Sequence, residues 1–294
     1  VLFYGSCNAT SLIDPDERGN RVFDQVGSDH TCVSYMCHSE RLDESMLDED
    51  IKTADLIITQ PINDNYRGKP HLSTSYLLNE RKSDTPVVIF PPIWFDAYYL
   101  DYTSLNIDGK AVTEPENAHL GGIYQCWKNK QDATDFVNNY VNNPDLFSAE
   151  QFEEKARQNI KSTATRENKC KEYASLHSEV YPLNLTPFYK DEYKTTLLTY
   201  TWNHPSQATL FKVATMIRDI VNSMAIGSDV NLNANHNADT FDSHRWIIYS
   251  SIQKSVDFAT ALHPPSIRKS DGSKADISFL CDSYYKVYDS YINQ

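Results

Sequence analysis

One cysteine and one histidine, far apart in the chain, carry the strongest chemical signal in this sequence. Residues 1–5 run apolar through Val1, Leu2, Phe3 and Tyr4, break at Gly5, and deliver Ser6, Cys7 and Asn8. A β-prone run that stops at glycine before small polar residues, and continues through Ala9 to Ile13, reads as a first strand turning sharply into a first helix. Cys7 then stands at the carboxyl end of a strand and near a helix amino terminus. Unpaired amides and the helix dipole favour negative charge there, so the expectation is a thiol that ionises easily. The plainer alternative is a cysteine that fills space behind the strand. The second signal is residues 200–206, YTWNHPS, between a β-prone run and a helical pattern. His204 falls at the helix cap or just before it, where amide dipoles keep an imidazole neutral, the state a general base needs. The alternative has Asn203 as the cap and His204 as a structural ring. If folding brings them together, Cys7 and His204 form a nucleophile and base pair.

A third cluster follows an apolar run at residues 54–59. Gln60, Asn63, Tyr66, Arg67 and Lys69 crowd amides, an aromatic ring and two cations into one loop. Gln60 or Asn63 could donate to a developing oxyanion, and Arg67 with Lys69 gives a local positive spot suited to a phosphorylated cofactor. The alternative is a solvated loop of ordinary composition. Two groups have a superficial metal-ligand look. His30, Cys32, Cys37 and His38 flank and occupy a β-prone run that would spread them over two faces, and His236, Asp239, Asp242 and His244 lie in a polar loop. No metal is expected from either. No glycine-rich dinucleotide fingerprint or phosphate loop is present.

The elements that must position these residues begin with short apolar strands at residues 1–5, 31–37, 54–59 and 85–90, separated by helix-length polar segments at 43–52 and 73–82. This alternation predicts a parallel sheet with crossover helices and a ligand beyond the carboxyl ends of the strands. The expected class is α/β, a parallel sheet with flanking helices in an SGNH or flavodoxin-like three-layer core, followed by a helical C-terminal portion. Residues 1–118 read as the α/β core and 119–294 as a mainly helical continuation packed on it, with helices at 131–142, 148–171, about 210–224, 245–262 and 275–292. Residues 195–201 read as a further strand.

Composition narrows the partners. The 294 residues carry 27 Lys and Arg against 40 Asp and Glu, a net charge of −13, which argues against a phosphate-backbone binder. Nucleic acid is therefore not an expected partner. No run approaches the roughly 18–20 apolar residues of a membrane span. The start lacks the basic and apolar regions of a signal peptide, and without an initiating methionine it reads as a trimmed segment. Six scattered cysteines fit reduced thiols in a cytoplasmic setting. The sequons at Asn8 and Asn184 read as chance.

Four motifs, taken in order, resemble one known family: GSCNA at residues 5–9, ADLIITQPINDNYR at 54–67, FPPIWFDAYYLD at 90–101, and TYTWNHPS at 199–206. They are similar to the WcbI family of polysaccharide biosynthesis enzymes, over roughly residues 1–225. The resemblance implies a fold related to SGNH hydrolases, coenzyme A or acetyl-coenzyme A as a substrate, and acetyl transfer to a glycan or nucleotide-sugar acceptor of a capsular or surface polysaccharide. Carried over by position, Cys7, Gln60 and His204 match the catalytic positions. Ser6, Asn8, Asn63, Tyr66, Arg67, Lys69 and Asn203 are the expected coenzyme-binding residues. The usual Asn, Cys, Gln order around the cysteine is here Ser6, Cys7, Asn8. Two routes stay open: acetyl transfer through Cys7, or direct attack by a sugar hydroxyl that His204 deprotonates. Rival readings are an esterase or thioesterase using the same residues, and a non-catalytic carbohydrate-binding module built on Trp94, Trp127, Trp202 and Trp246. Homo-oligomerisation is left open.

Overall fold

The computed structural model describes residues 1–23, 31–113, 119–224, 232–241, 246–258 and 276–292. The chain divides into two compact units that interleave along the sequence. The first comprises Val1–Trp94, Ile160–Asp191 and His204–Phe241, the second Phe95–Asn159, Glu192–Asn203 and Asp242–Gln294.

The first unit is built on five parallel strands. β1 (Leu2–Gly5), β2 (Val33–Met36), β3 (Ile57–Thr59) and β4 (Val87–Ile89) form within the expected runs, and a fifth strand, Val180–Pro182, joins the far edge. The sheet order is β2, β1, β3, β4 and then Val180–Pro182. This is a doubly wound arrangement whose order reverses between β1 and β3, and the crevice beyond the carboxyl ends at such a reversal is where ligands bind. The fifth strand escaped the sequence reading because it is three residues long and ends in proline. Pro182 is tolerated there because the strand lies at the sheet edge.

Period-two alternation sends Leu2, Tyr4, Ile57, Val87 and Ile89 to one face. There they pack with Leu47 and Ile51 of α2 (Glu44–Thr53), Leu77 and Leu78 of α3 (Thr74–Glu80), and Cys170 and Tyr173 of the helix Ala149–Leu176. Each such fully buried aliphatic side chain contributes about 1.5–3 kcal/mol. The other face takes the helix Gln207–Ser223, whose buried stripe is Leu210, Val213, Ala214, Ile217 and Val221. Caps fix where these helices start. Asp43 accepts from the amides of Ser45 and Met46, Ser73 from Tyr76, and Ser206 from Thr209.

The second unit holds the C-terminal helix Ile277–Ile292, close to its expected span, and two short hairpin-like pairings. His119 is fully buried there between the Tyr288 hydroxyl at 3.1 Å and the Val112 carbonyl at 3.2 Å. The reciprocal Ser148 and Gln151 capping box is present at the start of Ala149–Leu176. Two expectations fail in this unit. Residues 195–201 form no strand, because the carbonyls of Thr199 and Tyr200 accept from the Tyr99 hydroxyl and Tyr200 also accepts from the Trp246 amide, which leaves no ladder. The helix expected over 245–262 shortens to Ser250–Gln253 among the described residues. Residues 259–262 lie outside them. No helix among the described residues is long and apolar enough to cross a membrane.

Candidate active site

β1 ends at Gly5, and the chain turns through Ser6 in extended conformation into α1 (Cys7–Thr10), a single turn. Gly5 is required by close approach: a Cβ there would stand 2.9 Å from Gln60 Oε1 and 3.0 Å from the Ala9 Cβ. Gln60 follows β3 directly and is almost fully buried. Its Oε1 accepts from the Ser6 amide at 3.0 Å and the Ser6 hydroxyl at 2.6 Å. Its Nε2 donates to Asn8 Oδ1 at 3.5 Å. Asn8 Oδ1 also accepts from the Ile93 amide at 3.0 Å, just beyond Pro91 and Pro92 at the end of β4. The Asn8 amide nitrogen Nδ2 is thereby turned toward Cys7 Sγ, 3.9 Å away. Three strand ends thus converge on one thiol, and Ser6, Cys7, Asn8 and Gln60 form a connected hydrogen-bond network on both sides of the sheet's reversal point.

The thiol itself departs from the sequence expectation. Burial pushes Cys7 up to about 11, against the opposing pull of the Asn8 and Cys7 amides and the Ser6 hydroxyl. A single-turn helix supplies too little dipole to offset the loss of hydration. At neutral pH Cys7 is a thiol, and any reaction through its sulfur needs a base.

At the end of β2, Cys37 is buried and its amide donates to the Gly5 carbonyl at 2.8 Å. Tyr66 packs against the core cluster that contains Cys37, and Arg67 Nη1 donates to the His38 carbonyl at 3.0 Å. Arg67 is exposed, its guanidinium 5.8 Å from the centre of the Tyr66 ring, and its backbone is left-handed at φ 53°. Burial, then the Arg67 charge, hold the His38 imidazole below its ordinary range. Lys69 is ion-paired to Glu44, which also bonds His71, so its charge is already matched. Asn63 is exposed and its carbonyl accepts from the Tyr66 amide.

His204 lies two residues before the Ser206 cap, which corrects the alternative in which Asn203 caps the helix. Its ring stacks on Phe241, with centroids 4.7 Å apart and planes inclined by 16°. The neighbouring Thr240 hydroxyl donates to the Ser11 carbonyl at 3.1 Å, tying this segment to the residue just after α1. Asn203 belongs to the second unit, where its Oδ1 accepts from the Thr201 hydroxyl. Sequence reasoning places Cys37 and Ile93 at strand ends that border the ligand, but it missed Phe241 and the bond from the Ile93 amide to Asn8. The FPPIW motif and the end of β2 were visible, but their partners are set by non-local topology.

Of the metal-like groups, Cys32 and Cys37 stand at opposite ends of β2 and cannot share an ion, and His30 lies outside the described residues. Asp239 donates its amide to Asp16, while Asp242 and His244 lie outside the described residues. Among the described residues no cluster of three or more His, Cys, Asp or Glu side chains is arranged to hold a metal. All six cysteines are free thiols.

Comparison with known proteins adds two findings. The family model described as polysaccharide biosynthesis enzyme WcbI matches residues 1–223. A solved structure of WcbI, described as a novel polysaccharide biosynthesis enzyme in native form without a disulfide bond between coenzyme A and one of its cysteines, is similar in fold. Its TM-score is 0.67 at 18% identity, covering 98% of this chain and 89% of that one. No curated protein matches the chain.

Proposed function

The chain belongs to the WcbI family of polysaccharide biosynthesis enzymes, and from that premise we propose that it transfers an acyl group, acetyl in the simplest case, from coenzyme A to a sugar hydroxyl of a polysaccharide or its nucleotide-sugar precursor. The observation that carries this reading is the convergence of Ser6, Cys7, Asn8 and Gln60 at the reversal point of the sheet. The similar WcbI structure, described in terms of coenzyme A and a cysteine, supports the choice of acyl carrier.

In this reading the thioester lies against Cys7, with Asn8 Nδ2 as the donor to the carbonyl oxygen as it gains charge. Gln60 acts as a positioning residue, since its oxygen is taken by Ser6 and its nitrogen by Asn8. Arg67, exposed at the rim, takes phosphate, with Asn63 and Tyr66 beside it. Lys69 has a weaker claim because Glu44 already holds it. His204 accepts the proton of the acceptor hydroxyl, whose oxygen attacks the thioester carbonyl, and the proton leaves with the coenzyme A sulfur. The high proton affinity of Cys7 favours this direct route over an acetyl-cysteine intermediate, which would need His204 to take the thiol proton first.

Calorimetric titration with coenzyme A and acetyl-coenzyme A tests the carrier: binding of both is expected, and binding of neither overturns the assignment. His204→Ala should lower kcat/KM for transfer by roughly 10²–10⁴-fold, the size of a lost general base. Cys7→Ala with near-normal turnover and no trapped acetyl on the wild-type cysteine is the expected pattern. Acetate released at the same rate with or without any sugar acceptor would make the protein a thioesterase instead.

A further inference from the structure

Two thiols follow neighbouring strands, Cys7 two residues after β1 and Cys37 directly after β2, at the carboxyl ends of the sheet. The Cys37 amide continues the β1–β2 ladder to Gly5 O at 2.8 Å, one position beyond the Gly5 and Met36 pair, so Cys37 stands opposite Ser6 and diagonal to Cys7. One strand spacing, or one spacing plus one residue step, separates their α-carbons by roughly 5–9 Å. That window overlaps the span a disulfide bridges. α1, which Cys7 opens, packs on β2. The two thiols also differ in access. Cys7 is half-buried, while Cys37 is buried in the core cluster with Tyr4, Leu47 and Leu72, against which Tyr66 packs. The remaining cysteines are placed differently: Cys32 precedes β2 at its other end, Cys170 lies on the helix Ala149–Leu176, and Cys126 and Cys281 belong to the second unit.

We propose that Cys7 and Cys37 form a disulfide-exchange pair, in which Cys37 clears a small-thiol mixed disulfide from Cys7. Solvent base takes the Cys7 proton, to an extent that grows as pH rises toward about 11; the thiolate attacks a low-molecular-weight disulfide RSSR, giving Cys7–S–S–R, and the departing R–S⁻ is protonated to RSH. The Cys37 sulfur then attacks Cys7 Sγ, the Cys7–Cys37 bond forms, and the second R–S⁻ leaves with the Cys37 proton. The two cysteines are oxidised by two electrons and RSSR is reduced to two RSH. Two equivalents of a reducing thiol return the pair to its starting state. Burial raises the Cys37 thiol, and the nearby Tyr66 hydroxyl and Arg67 charge offset part of that rise. The identity of R as coenzyme A rests on the functional reading above, whereas the exchange itself does not.

The wild-type protein is incubated in parallel with glutathione disulfide and with coenzyme A disulfide, quenched in acid, alkylated and mapped as peptides. The expected product in both arms is a Cys7–Cys37 link, with two RSH released per chain. Cys37→Ala should instead stop at a stable Cys7 mixed disulfide and release the second equivalent at least tenfold more slowly. A wild-type Cys7 adduct that persists while Cys37 remains a thiol overturns the proposal, as does a link from Cys7 to any other cysteine. A link in the glutathione arm with no reaction in the coenzyme A arm leaves the pair standing and counts against coenzyme A as the carrier. Because the decisive map is made on the unmodified chain, it does not depend on the variant folding.

Discussion

Cys7 shows how burial and local dipoles compete over one proton. Its strand-end position suggests an acidic thiol, yet the amides of Cys7 and Asn8 and the hydroxyl of Ser6 fail to offset desolvation, and the group is pushed up to about 11. Alkylation of Cys7 by iodoacetamide, followed at the peptide level, should therefore rise with a midpoint near 11 rather than the roughly 8.5 of a free thiol. A midpoint at or below the free value would mean that the Asn8 and Ser6 contacts outweigh burial. The same shift has a stability consequence whose sign is fixed. The folded state holds the thiol proton more tightly than the unfolded chain, so the contribution is complete below about pH 8.5 and is lost as pH rises through about 11. Cys7→Ala should flatten that part of the stability profile.

At the scale of elements, legibility followed the length of the signal. β1 to β4 are short apolar runs punctuated by Gly5, Gln60–Pro61 or Pro91–Pro92, and all were readable, as were the ends of the strands that carry Cys7 and Gln60. The strand Val180–Pro182 was not, because nothing local separates three such residues from a turn. Residues 195–201 have strand composition, but side-chain and loop donors take their carbonyls. Ile93, Phe241 and Cys37 gain their roles from long-range contacts that no local pattern encodes. The helix Thr186–Glu192 illustrates this. Its first amides are held by Glu167, from the helix Ala149–Leu176, whose Oε1 accepts from the Leu185 amide at 2.5 Å and the Thr186 amide at 2.7 Å while Oε2 accepts from the Thr186 hydroxyl at 2.8 Å. Removing this acceptor orphans the buried Leu185 amide and two part-buried donors of Thr186. Glu167→Ala should cost about 3 kcal/mol in urea unfolding, with Glu167→Gln intermediate. A cost below about 1 kcal/mol would show that the helix start is held by other groups.

The whole molecule carries a net charge of −13 at pH 7, with a sequence pI of about 5.1. Several of its cations are already matched, Lys69 with Glu44, Lys155 with Asp96, Lys194 with Glu153 and Arg157 with Glu154, so the surplus carboxylates have few countercharges left among these pairs. Like charges across the surface then raise the free energy of the compact state relative to the expanded chain, and the same field opposes the approach of a phosphorylated ligand everywhere except close to cations such as Arg67. Salt acts on this term through distance. Raising ionic strength from 0.01 M to 0.15 M shortens the screening length from about 30 Å to about 8 Å, which removes repulsion between distant carboxylates while leaving contact ion pairs largely intact. At pH 8 the Tm should therefore rise with added sodium chloride by about 2–5 °C, corresponding to roughly 1–2 kcal/mol for a chain of this size. As the pH approaches 5.1 the net charge vanishes, and with it the salt response. A Tm that falls with salt at pH 8 would mean that the matched pairs, rather than the surplus charge, dominate the electrostatic energy of the fold.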